Sequence, residues 1–385
     1  MHNRNGHAAT MLRARQPGAT AAALSAACGR AEVVGIKPWK RWQIDPFLRR
    51  RYGELHYSTS PQAALRRQAQ RGGAIVIWAA REPDDFAEAA RAQGAALVRI
   101  EDGFLRSVGL GSNHFGGASL VVDPEGIYFD PRTPSALEQL LQTGEFDAPL
   151  LARAAGLREF LVRHGLTKYN VGTRHHPPLG GRPGQARILV PGQVENDASI
   201  RCGAPATRSN LELLRGVREA EPDAWIIYKP HPDIEAGTRP GQVEEAQALH
   251  FADQVVNSVC AGSILPYVDA VHTLTSLLGF EALLRGLPVT VWGLPFYAGW
   301  GLTDDKITLP RRTRRLNLDE LVAGTLILYP LYADTETGLP CEVEQVAAAL
   351  AANRHETRGG NNRVLRIARL CRGLFRSWTS ARASR

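Results

Sequence analysis

The residues that could do chemistry stand where short β-prone runs end. Lys229 and His231 follow the apolar run Trp225–Tyr228 in the sequence Tyr-Lys-Pro-His-Pro-Asp. Proline can neither continue a strand's donor ladder nor enter a helix interior, so the two prolines put Lys229 and His231 at the carboxyl end of a strand. Ligands of open parallel sheets bind at this end. A cation and an imidazole there predict an anionic ligand.

Two more polar clusters follow apolar runs of the same half. One is Pro191-Gly-Gln-Val-Glu-Asn-Asp, which supplies Gln193, Asn196 and Asp197. The other is Thr273-Leu-Thr-Ser. The carboxyl ends of parallel strands share one edge of a sheet, so the three clusters are predicted to line one cleft.

The third cluster also predicts a helix start. Thr275 or Ser276 is suited to cap a helix that begins near Leu277, and the free N–H groups of such a start attract phosphate. Capping alone is the simpler interpretation. Glu281 lies one turn inside that helix, where it could hold ribose hydroxyls or remain solvated.

In the first half, Glu101-Asp102-Gly103 puts adjacent carboxylates at a strand end. Adjacent residues of an extended chain point opposite ways, so one of the two carboxylates is expected to face the cleft. The loop that follows has Gly109-x-Gly111 without the third glycine of a dinucleotide fingerprint, and no Walker A motif occurs. NAD binding is therefore not predicted.

Composition limits the class of partner. The net charge of the 385 residues is +8, but seven arginines of residues 361–385 and four of residues 1–30 stand in segments without acids, which leaves −3 for residues 31–360. Nucleic-acid binding thereby loses its main support. The five cysteines have no C-x-x-C pair, which is typical of reduced cytosolic thiols, and no apolar run reaches 18 residues.

Short apolar strands alternate with helices of about ten residues, which predicts an α/β protein with parallel sheets in two Rossmann-like domains that face a central cleft. A hairpin is predicted about Asp123-Pro-Glu-Gly, between residues 118–122 and 127–129. The predicted divisions are a disordered tail (1–30), an N-terminal α/β domain (31–172), a linker (173–185), a C-terminal α/β domain (186–345) and a helical basic tail (346–385).

The segment Pro295–Thr303 carries Phe296, Tyr297 and Trp300 after a predicted strand. Aromatic rings are costly to leave in water. A packed lid, a sugar platform or a domain contact would each explain them.

Five motifs in order resemble those of capsule polysaccharide biosynthesis proteins of the KpsC type. They are Glu101-Asp-Gly-Phe-Leu-Arg-Ser-Val-Gly-Leu-Gly, Pro191-Gly-Gln-Val-Glu-Asn-Asp-Ala-Ser, Tyr228-Lys-Pro-His-Pro-Asp, Ser276-Leu-Leu-Gly-Phe-Glu-Ala-Leu and Gly293-Leu-Pro-Phe-Tyr-Ala-Gly-Trp-Gly-Leu-Thr-Asp-Asp. The resemblance implies a GT-B-like fold and transfer of β-linked Kdo, an eight-carbon ulosonic acid, from CMP-Kdo with retained anomeric configuration. It also implies an oligo-Kdo linker on lysophosphatidylglycerol as the product, with residues 31–172 as the acceptor-side domain and residues 186–345 as the CMP-sugar-binding domain. Family members commonly carry two such modules with different linkages, and this chain contains one.

The resemblance assigns roles to the residues above. The predicted CMP-binding residues are Gln193, Asn196, Lys229, Pro232, Thr275, Ser276 and Glu281. Retention favours double displacement, with Asp197 or Asp102 as nucleophile and Glu101 or the other Asp as base. Asp197 is preferred because its loop belongs to the donor half. His231 is predicted to stabilise or protonate the departing phosphate, and no metal or cofactor is predicted. The predicted substrate and lid residues are Arg106, Phe296, Tyr297 and Trp300.

Two alternatives remain open. One is another GT-B nucleotide-sugar enzyme, such as a CMP-sialyltransferase, whose bacterial forms have similar motifs, or an epimerase. The other is a non-catalytic module that binds lipid-linked glycan or partner capsule-assembly proteins. Donor screening separates the enzymes, and CMP release without a partner protein separates catalysis from binding.

The tail predicts a peripheral location on the cytoplasmic side of the inner membrane. On a helix, one stripe would contain the apolar residues Val364, Ile367, Leu370, Cys371, Leu374, Phe375 and Trp378, with four arginines outside it. This is the form of an interfacial helix drawn to anionic lipid. A helix packed on the protein body is the competing interpretation.

Overall fold

The computed structural model describes residues 29–105, 117–168, 177–237, 239–335 and 337–356. In this part of the chain the strands form two six-stranded sheets. The first sheet has the order β12-β5-β4-β3-β1-β2 and contains β1 (Arg30–Val34), β2 (Glu54–Tyr57), β3 (Ala74–Trp78), β4 (Ala96–Asp102), β5 (Ser119–Asp123) and β12 (Pro330–Tyr332). Its β2, β1, β3 and β4 are parallel neighbours.

The second sheet is parallel throughout, in the order β11-β10-β9-β6-β7-β8. Its strands are β6 (Arg187–Pro191), β7 (Trp225–Lys229), β8 (Gln254–Val255), β9 (Ala270–Thr273), β10 (Val289–Val291) and β11 (Asp304–Asp305). The predicted parallel arrangement of the three polar clusters is therefore confirmed, because β6, β7 and β9 are neighbours in one parallel sheet.

Helices connect the strands in both halves. In the first half they are Arg41–Leu48, Pro61–Arg71, Phe86–Ala92, Ala136–Thr143 and Ala148–Arg163, and short 3-10 turns lie at Pro38–Lys40 and Ala79–Arg81. In the second half they are Ala198–Gly203, Asn210–Ala220, Pro232–Glu235, Glu245–Ala248, Ala261–Ile264 and Leu277–Leu283, with a 3-10 turn at Leu265–Tyr267. Leu318–Val322, a π-helical segment Ala323–Leu328 and Val343–Glu356 follow.

Local signals explain where several helices begin. Ser209 and Glu212 form a reciprocal capping box at the helix Asn210–Ala220. Asp147 caps the helix Ala148–Arg163 by accepting from the N–H of Leu150. These caps satisfy backbone donors that a helix start leaves without partners.

The chain crosses back to the first half near its end. Strand β12 pairs antiparallel with β5 of the first sheet. The helix Val343–Glu356 continues there, since Arg153 pairs with Glu344 at 2.7 Å. The sequence prediction assigned residues 186–345 to the second half, whereas residues 330–332 of that range complete the first sheet.

The predicted hairpin about Asp123 is wrong. Strand β5 pairs with β4 and β12, and residues 127–129 form no strand. The carboxylate of Asp123 accepts from the N–H groups of Glu125, Gly126 and Ala136, so the turn leads the chain into a helix. A turn signal in sequence is the same for both outcomes, because it does not specify which strand the chain pairs with.

The amino-terminal prediction also needs correction at its boundary. Arg30, assigned to the disordered tail, begins β1, and its guanidinium pairs with Glu54 of β2 at 2.6 Å. Residues 1–28 and 357–385, which hold the rest of the two predicted tails, lie outside the described residues. Within the described residues, no helix is both long and apolar enough to cross a bilayer.

Candidate functional site

A cleft opens at the carboxyl edge of the second sheet. It lies at the ends of β6 and β7, beside the loop that follows β9. Its walls are Thr167, Lys168, Pro191, Gly192, Lys229, Pro230, His231, Pro232, Val259, Ser276, Leu277, Leu278 and Glu281. Five of the predicted site residues are among them: Lys229, His231, Pro232, Ser276 and Glu281.

Lys229 is a buried cation without an opposite charge beside it. The residue is 3% exposed, and its Nζ donates to the carbonyl of Pro230 at 3.2 Å. In the described part of the chain no carboxylate forms an ion pair with it. Burial lowers the pKa of Lys229, and the charge of Glu235 opposes that effect. Buried charges are normally paired, so a wall residue of this kind is suited to an anion that enters the cleft.

His231 has a defined tautomer when its ring is neutral. Its Nδ1 accepts from the N–H of Asp233 at 3.1 Å, which caps the helix Pro232–Glu235. The proton of the neutral ring therefore lies on Nε2. Burial lowers the pKa of His231, and the nearby Lys229 adds to the effect. At neutral pH the ring is accordingly a neutral hydrogen-bond donor.

Ser276 confirms the predicted cap of the helix Leu277–Leu283, since its Oγ accepts from the N–H of Leu278 at 3.2 Å. Thr275 does not line the cleft. Instead, Gln193 holds it through two hydrogen bonds, one from Nε2 to the hydroxyl at 3.1 Å and one from the Thr275 N–H to Oε1 at 2.9 Å. Gln193 and Thr275 thus join the loops that follow β6 and β9, and they position Ser276.

Glu281 lines the cleft and is 8% exposed. Its Oε1 accepts from the backbone N–H of Lys168 at 2.8 Å. Thr167 and Lys168 follow the long helix Ala148–Arg163 of the first half, so Glu281 ties the end of that helix to the donor-side cleft. No sequence pattern indicates this contact, because the two residues are 113 positions apart.

Asp197 lies beside the cleft lining, at the start of a helix. Its carboxylate accepts from the N–H of Ser199 at 3.3 Å and from its hydroxyl at 2.8 Å, and thereby caps the helix Ala198–Gly203. The side chain is 47% exposed, and Arg239 stands 3.7 Å away. Arg239 also donates to Asn196 at 3.3 Å, so Asn196 and Asp197 share one guanidinium. The charge of Asp197 acts on His231, which places the two groups within electrostatic reach.

Glu101 and Asp102 are the last two residues of β4, and their side chains have different surroundings. Glu101 is 9% exposed and accepts from the N–H groups of Ala80 and Asp102. The Asp102 carboxylate accepts from Lys40 Nζ at 3.2 and 3.3 Å. Burial, and next the charge of Asp102, raise the pKa of Glu101 to about 7, while Lys40 and Lys168 oppose the rise. A carboxyl group that titrates near neutral pH is suited to general acid–base work.

Gly103 is required by a close approach rather than by a tight turn. A Cβ at this position would stand 2.3 Å from the Oγ of Ser119. Ser119 is fixed because its hydroxyl donates to the carbonyl of Leu105. The end of β4 therefore packs directly on β5, and this contact holds the two carboxylates in place.

Phe296, Tyr297 and Trp300 are 6%, 0% and 0% exposed. Phe296 packs on Phe104 of the first half with ring centroids 4.9 Å apart, and on Phe280 at 5.3 Å. The rings therefore form a domain contact, and their burial corrects the prediction that they cover substrate. Tyr297 also supports the cleft, because its hydroxyl donates to the carbonyl of Ser276 at 2.5 Å. Arg106, the remaining predicted lid residue, lies outside the described residues.

A sequence profile of the family described as "Capsule polysaccharide biosynthesis protein" matches residues 73–178 and 175–333. The chain belongs to this family. It is 43% identical over 333 residues to the capsule polysaccharide modification protein LipA of Neisseria meningitidis serogroup B, a match that covers 86% of this chain and 47% of LipA. It is 40% identical to the lipopolysaccharide-processing protein LpsZ of Rhizobium meliloti, covering 84% of this chain and 74% of LpsZ. The chain thus spans about half the length of LipA.

Two solved structures of the capsule family share the fold. The KpsC β-Kdo 2,7 transferase of Thermosulfurimonas dismutans is 37% identical with a TM-score of 0.69, over 85% of this chain and 99% of the other. The KpsC β-Kdo 2,4 transferase of the same organism is 30% identical with a TM-score of 0.71, over 83% of this chain and 98% of the other. The predicted α/β class and GT-B-like fold are therefore confirmed, and the described residues form two parallel-dominated sheets.

Sequence reasoning missed two contributors to the site of this capsule-family chain. Lys168 reaches the cleft wall from the end of a first-half helix, and nothing in its local sequence marks it. Lys40 belongs to the basic aromatic run Lys37–Trp42, which could have drawn attention to it. Its partner Asp102 is 62 positions away, so only the folded chain shows the pair.

Proposed function

We propose that this chain is a glycosyltransferase that moves Kdo from CMP-Kdo to a lipid-linked acceptor in capsule synthesis. The observation that carries the proposal is Lys229, a buried ammonium without a carboxylate partner in the described residues, in the wall of the cleft. Support comes from the two KpsC structures, which are β-Kdo transferases and match this chain over almost their full length.

The donor's phosphate fits the charges at the edge of the second sheet. Lys229 would pair with the phosphate, and the Nε2–H of His231 would donate to it. Ser276 and Pro232 shape the same wall, and Glu281 lies where a ribose could contact it. As CMP departs, the phosphate gains negative charge, so a fixed ammonium and a fixed N–H donor stabilise the leaving group more than the bound donor. This role of His231 is that of a neutral donor, because burial keeps its pKa low.

We propose a double displacement with retained configuration. A carboxylate, most simply Asp197, attacks the anomeric carbon of Kdo while the bond from that carbon to the CMP phosphate oxygen breaks, and CMP takes the electron pair. The acceptor hydroxyl then attacks the same carbon from the opposite face. Its proton passes to Glu101 or Asp102, and the enzyme carboxylate leaves with the electron pair of the ester bond.

Asp197 fits the nucleophile's role in two respects. It stands on the donor side, and about half of its side chain is exposed, so a sugar can reach it. Its two bonds to Ser199 fix the carboxylate at a helix start. Asp102 is the alternative nucleophile, and its bond to Lys40 makes it the more enclosed of the two.

The test uses purified protein, CMP-Kdo and a synthetic Kdo-terminated glycolipid. We expect release of CMP in step with formation of one new β-Kdo linkage, and the product's NMR spectrum distinguishes a 2,4 from a 2,7 linkage. CMP-sialic acid serves as the matched control donor, since it is also a CMP-linked ulosonic acid. Transfer from CMP-sialic acid but not from CMP-Kdo, or tight CMP binding with no turnover of either donor, would reject the proposal.

We propose further that the acceptor is a phospholipid-linked Kdo chain at the inner membrane and that the basic tail brings the enzyme to it. The stripe of apolar residues between 364 and 378 and the arginines beside it support this in sequence. Truncation after Gly360 is expected to remove binding to vesicles that contain phosphatidylglycerol while CMP affinity stays the same. Equal vesicle binding of the truncated and full chains would contradict the idea.

A further inference from the structure

Lys40 contacts the carboxylate of Asp102 at the end of β4. It is the last residue of the 3-10 turn Pro38–Lys40, which follows β1. Its Nζ lies 3.2 and 3.3 Å from the two oxygens of Asp102. Both oxygens are therefore directed to one ammonium group, which restricts rotation of the carboxylate.

Trp78 encloses the same ammonium. It is the last residue of β3, and Lys40 Nζ stands 3.4 Å from the centroid of its ring. A cation this close to an indole face is held by the ring's negative potential, and the effect increases where water is excluded. The side chains of Lys40 and Asp102 are only 14% and 19% exposed. Lys40 is thus fixed between an aromatic face and a carboxylate rather than free to follow solvent.

We propose that Lys40, clamped between Trp78 and Asp102, is a positioning residue that orients the Asp102 carboxylate and supplies the positive charge that the Glu101–Asp102 pair requires. The inference rests on the proposed function, because it assigns Glu101 and Asp102 to proton transfer. It goes beyond that function by naming a residue that touches neither donor nor reacting atoms.

Two adjacent carboxylates cannot both ionise cheaply in a buried place. The charged groups that act on Glu101 are Asp102 beside it, Lys40 from the turn after β1, and Lys168 from the end of the long helix. Lys40 and Lys168 both lower the pKa of Glu101, against burial and Asp102. Loss of Lys40 therefore makes Glu101 harder to ionise. If ionised Glu101 accepts the acceptor's proton, the acid limb of the pH profile must then move to higher pH.

The experiment compares Lys40→Met, Lys40→Arg and Lys37→Met. Lys37 is an exposed lysine of the same segment and is the matched control. For Lys40→Met we expect kcat to fall ~10–100-fold with the donor KM within about twofold, and the acid limb of kcat/KM to rise by about one pH unit. Because Lys40→Arg keeps the positive charge, its kcat is expected to be higher than that of Lys40→Met. Its acid limb of kcat/KM is expected to lie close to that of the parent protein. Lys37→Met leaves both unchanged.

A second readout does not depend on transferase activity. The titration of Glu101 is followed by carbon NMR of protein with labelled glutamate carboxyls, assigned with Glu101→Gln. Glu101 is expected to titrate at higher pH in Lys40→Met than in the parent protein, even if the donor proves to be another nucleotide sugar. Trp78→Leu, which keeps the lysine but removes its aromatic face, should move the titration in the same direction by less. CMP affinity, which depends on the second sheet, checks that each variant is folded.

An unchanged Glu101 titration in a folded Lys40→Met protein would overturn the inference. The inference would also be overturned if Lys40→Met lost the same fraction of its rate at every pH and Lys40→Arg lost as much. Such a result would show that Lys40 acts through packing alone. If Lys40→Met does not fold, the comparison of Trp78→Leu with the parent decides in the same way. Glu101 could titrate at higher pH in Lys40→Met than in the parent protein while the parent protein transfers no Kdo. That result would reject the proposed function and leave this inference in place.

Discussion

The carboxyl edges of the two sheets differ in the charges of their side chains. At the end of β4, two acids share one lysine, and the more buried acid, Glu101, has its pKa raised to about 7. At the end of β7, the buried Lys229 donates to a backbone carbonyl and to no carboxylate of the described residues, and burial keeps the imidazole beside it neutral. The first edge is suited to move a proton, and the second is suited to receive an anion. In the proposed reaction, the two edges support different steps.

The two edges also differ in how they are held. Glu101 and Asp102 are inside a strand that packs on β5 without room for a Cβ at Gly103. On the second sheet, side-chain hydrogen bonds between loops fix the site residues, as the two hydrogen bonds between Gln193 and Thr275 show. Substitutions at the first edge should therefore disturb packing and catalysis together. Polar substitutions at the second edge should mainly change ligand affinity.

The sharpest test separates a nucleophile from a base. Asp197→Asn is expected to reduce Kdo transfer by at least ~10³-fold while CMP affinity stays within about twofold, because an amide cannot form the ester. Asn is as good a helix cap as Asp, so the helix Ala198–Gly203 should persist. Intact-mass spectra of the parent with CMP-Kdo and no acceptor should show a Kdo adduct that the variant lacks. Asp102→Asn is the comparison, and full transfer by Asp197→Asn would move the nucleophile to Asp102.

The pH dependence of kcat/KM tests the role of Glu101 at the edge of the first sheet. Because Glu101 has its pKa raised to about 7 and must be ionised to accept a proton, kcat/KM is expected to rise as pH increases through about 7. Glu101→Gln should lower kcat ~10²–10⁴-fold and remove this limb, with unchanged CMP affinity. A limb that persists in Glu101→Gln would assign the titration to another group.

The affinity for CMP tests the binding residues at the edge of the second sheet. Lys229→Met is expected to weaken CMP binding ~10–100-fold in calorimetry, which corresponds to the loss of one charge-assisted contact. His231→Ala and Ser276→Ala should weaken it by less, since each supplies a neutral group. Lys306→Met is the control, because Lys306 pairs with Asp304 on the exposed edge strand of the same sheet. If Lys229→Met and His231→Ala both bind CMP as the parent does, the assignment of the cleft is wrong.

The smallest effect concerns packing behind the carboxylates. Gly103→Ala should lower the free energy of unfolding by ~1–3 kcal/mol, because the added methyl group meets the fixed side chain of Ser119. Gly156→Ala is the matched control, since a Cβ there meets no atom within 4 Å and lies in a helix. That change should raise stability by ~0.5–1 kcal/mol. Chemical denaturation of the two variants gives the comparison, and equal effects would show that β4 has room at this point.

The sequence by itself determined the parallel sheet of the second half and five of the residues that line its cleft. Short apolar runs that end in polar or proline-containing turns fix where a strand stops, and parallel pairing then brings those stops to one edge. Lys229, His231 and Ser276 were found by this reasoning, and Glu281 was found from its place one turn inside the helix that follows Ser276. The cap at Ser276 is also a local property, since it depends only on the residues that follow it.

Only the tertiary structure decided the partners that come from distant parts of the chain. Lys40 meets Asp102, the backbone of Lys168 meets Glu281, and β12 joins the first sheet. The burial of Phe296, Tyr297 and Trp300 belongs to the same class, because a run of aromatic residues has the same sequence whether it faces a sugar or another domain. Local preferences act over a few residues, whereas these contacts depend on how two sheets pack, which no local pattern encodes.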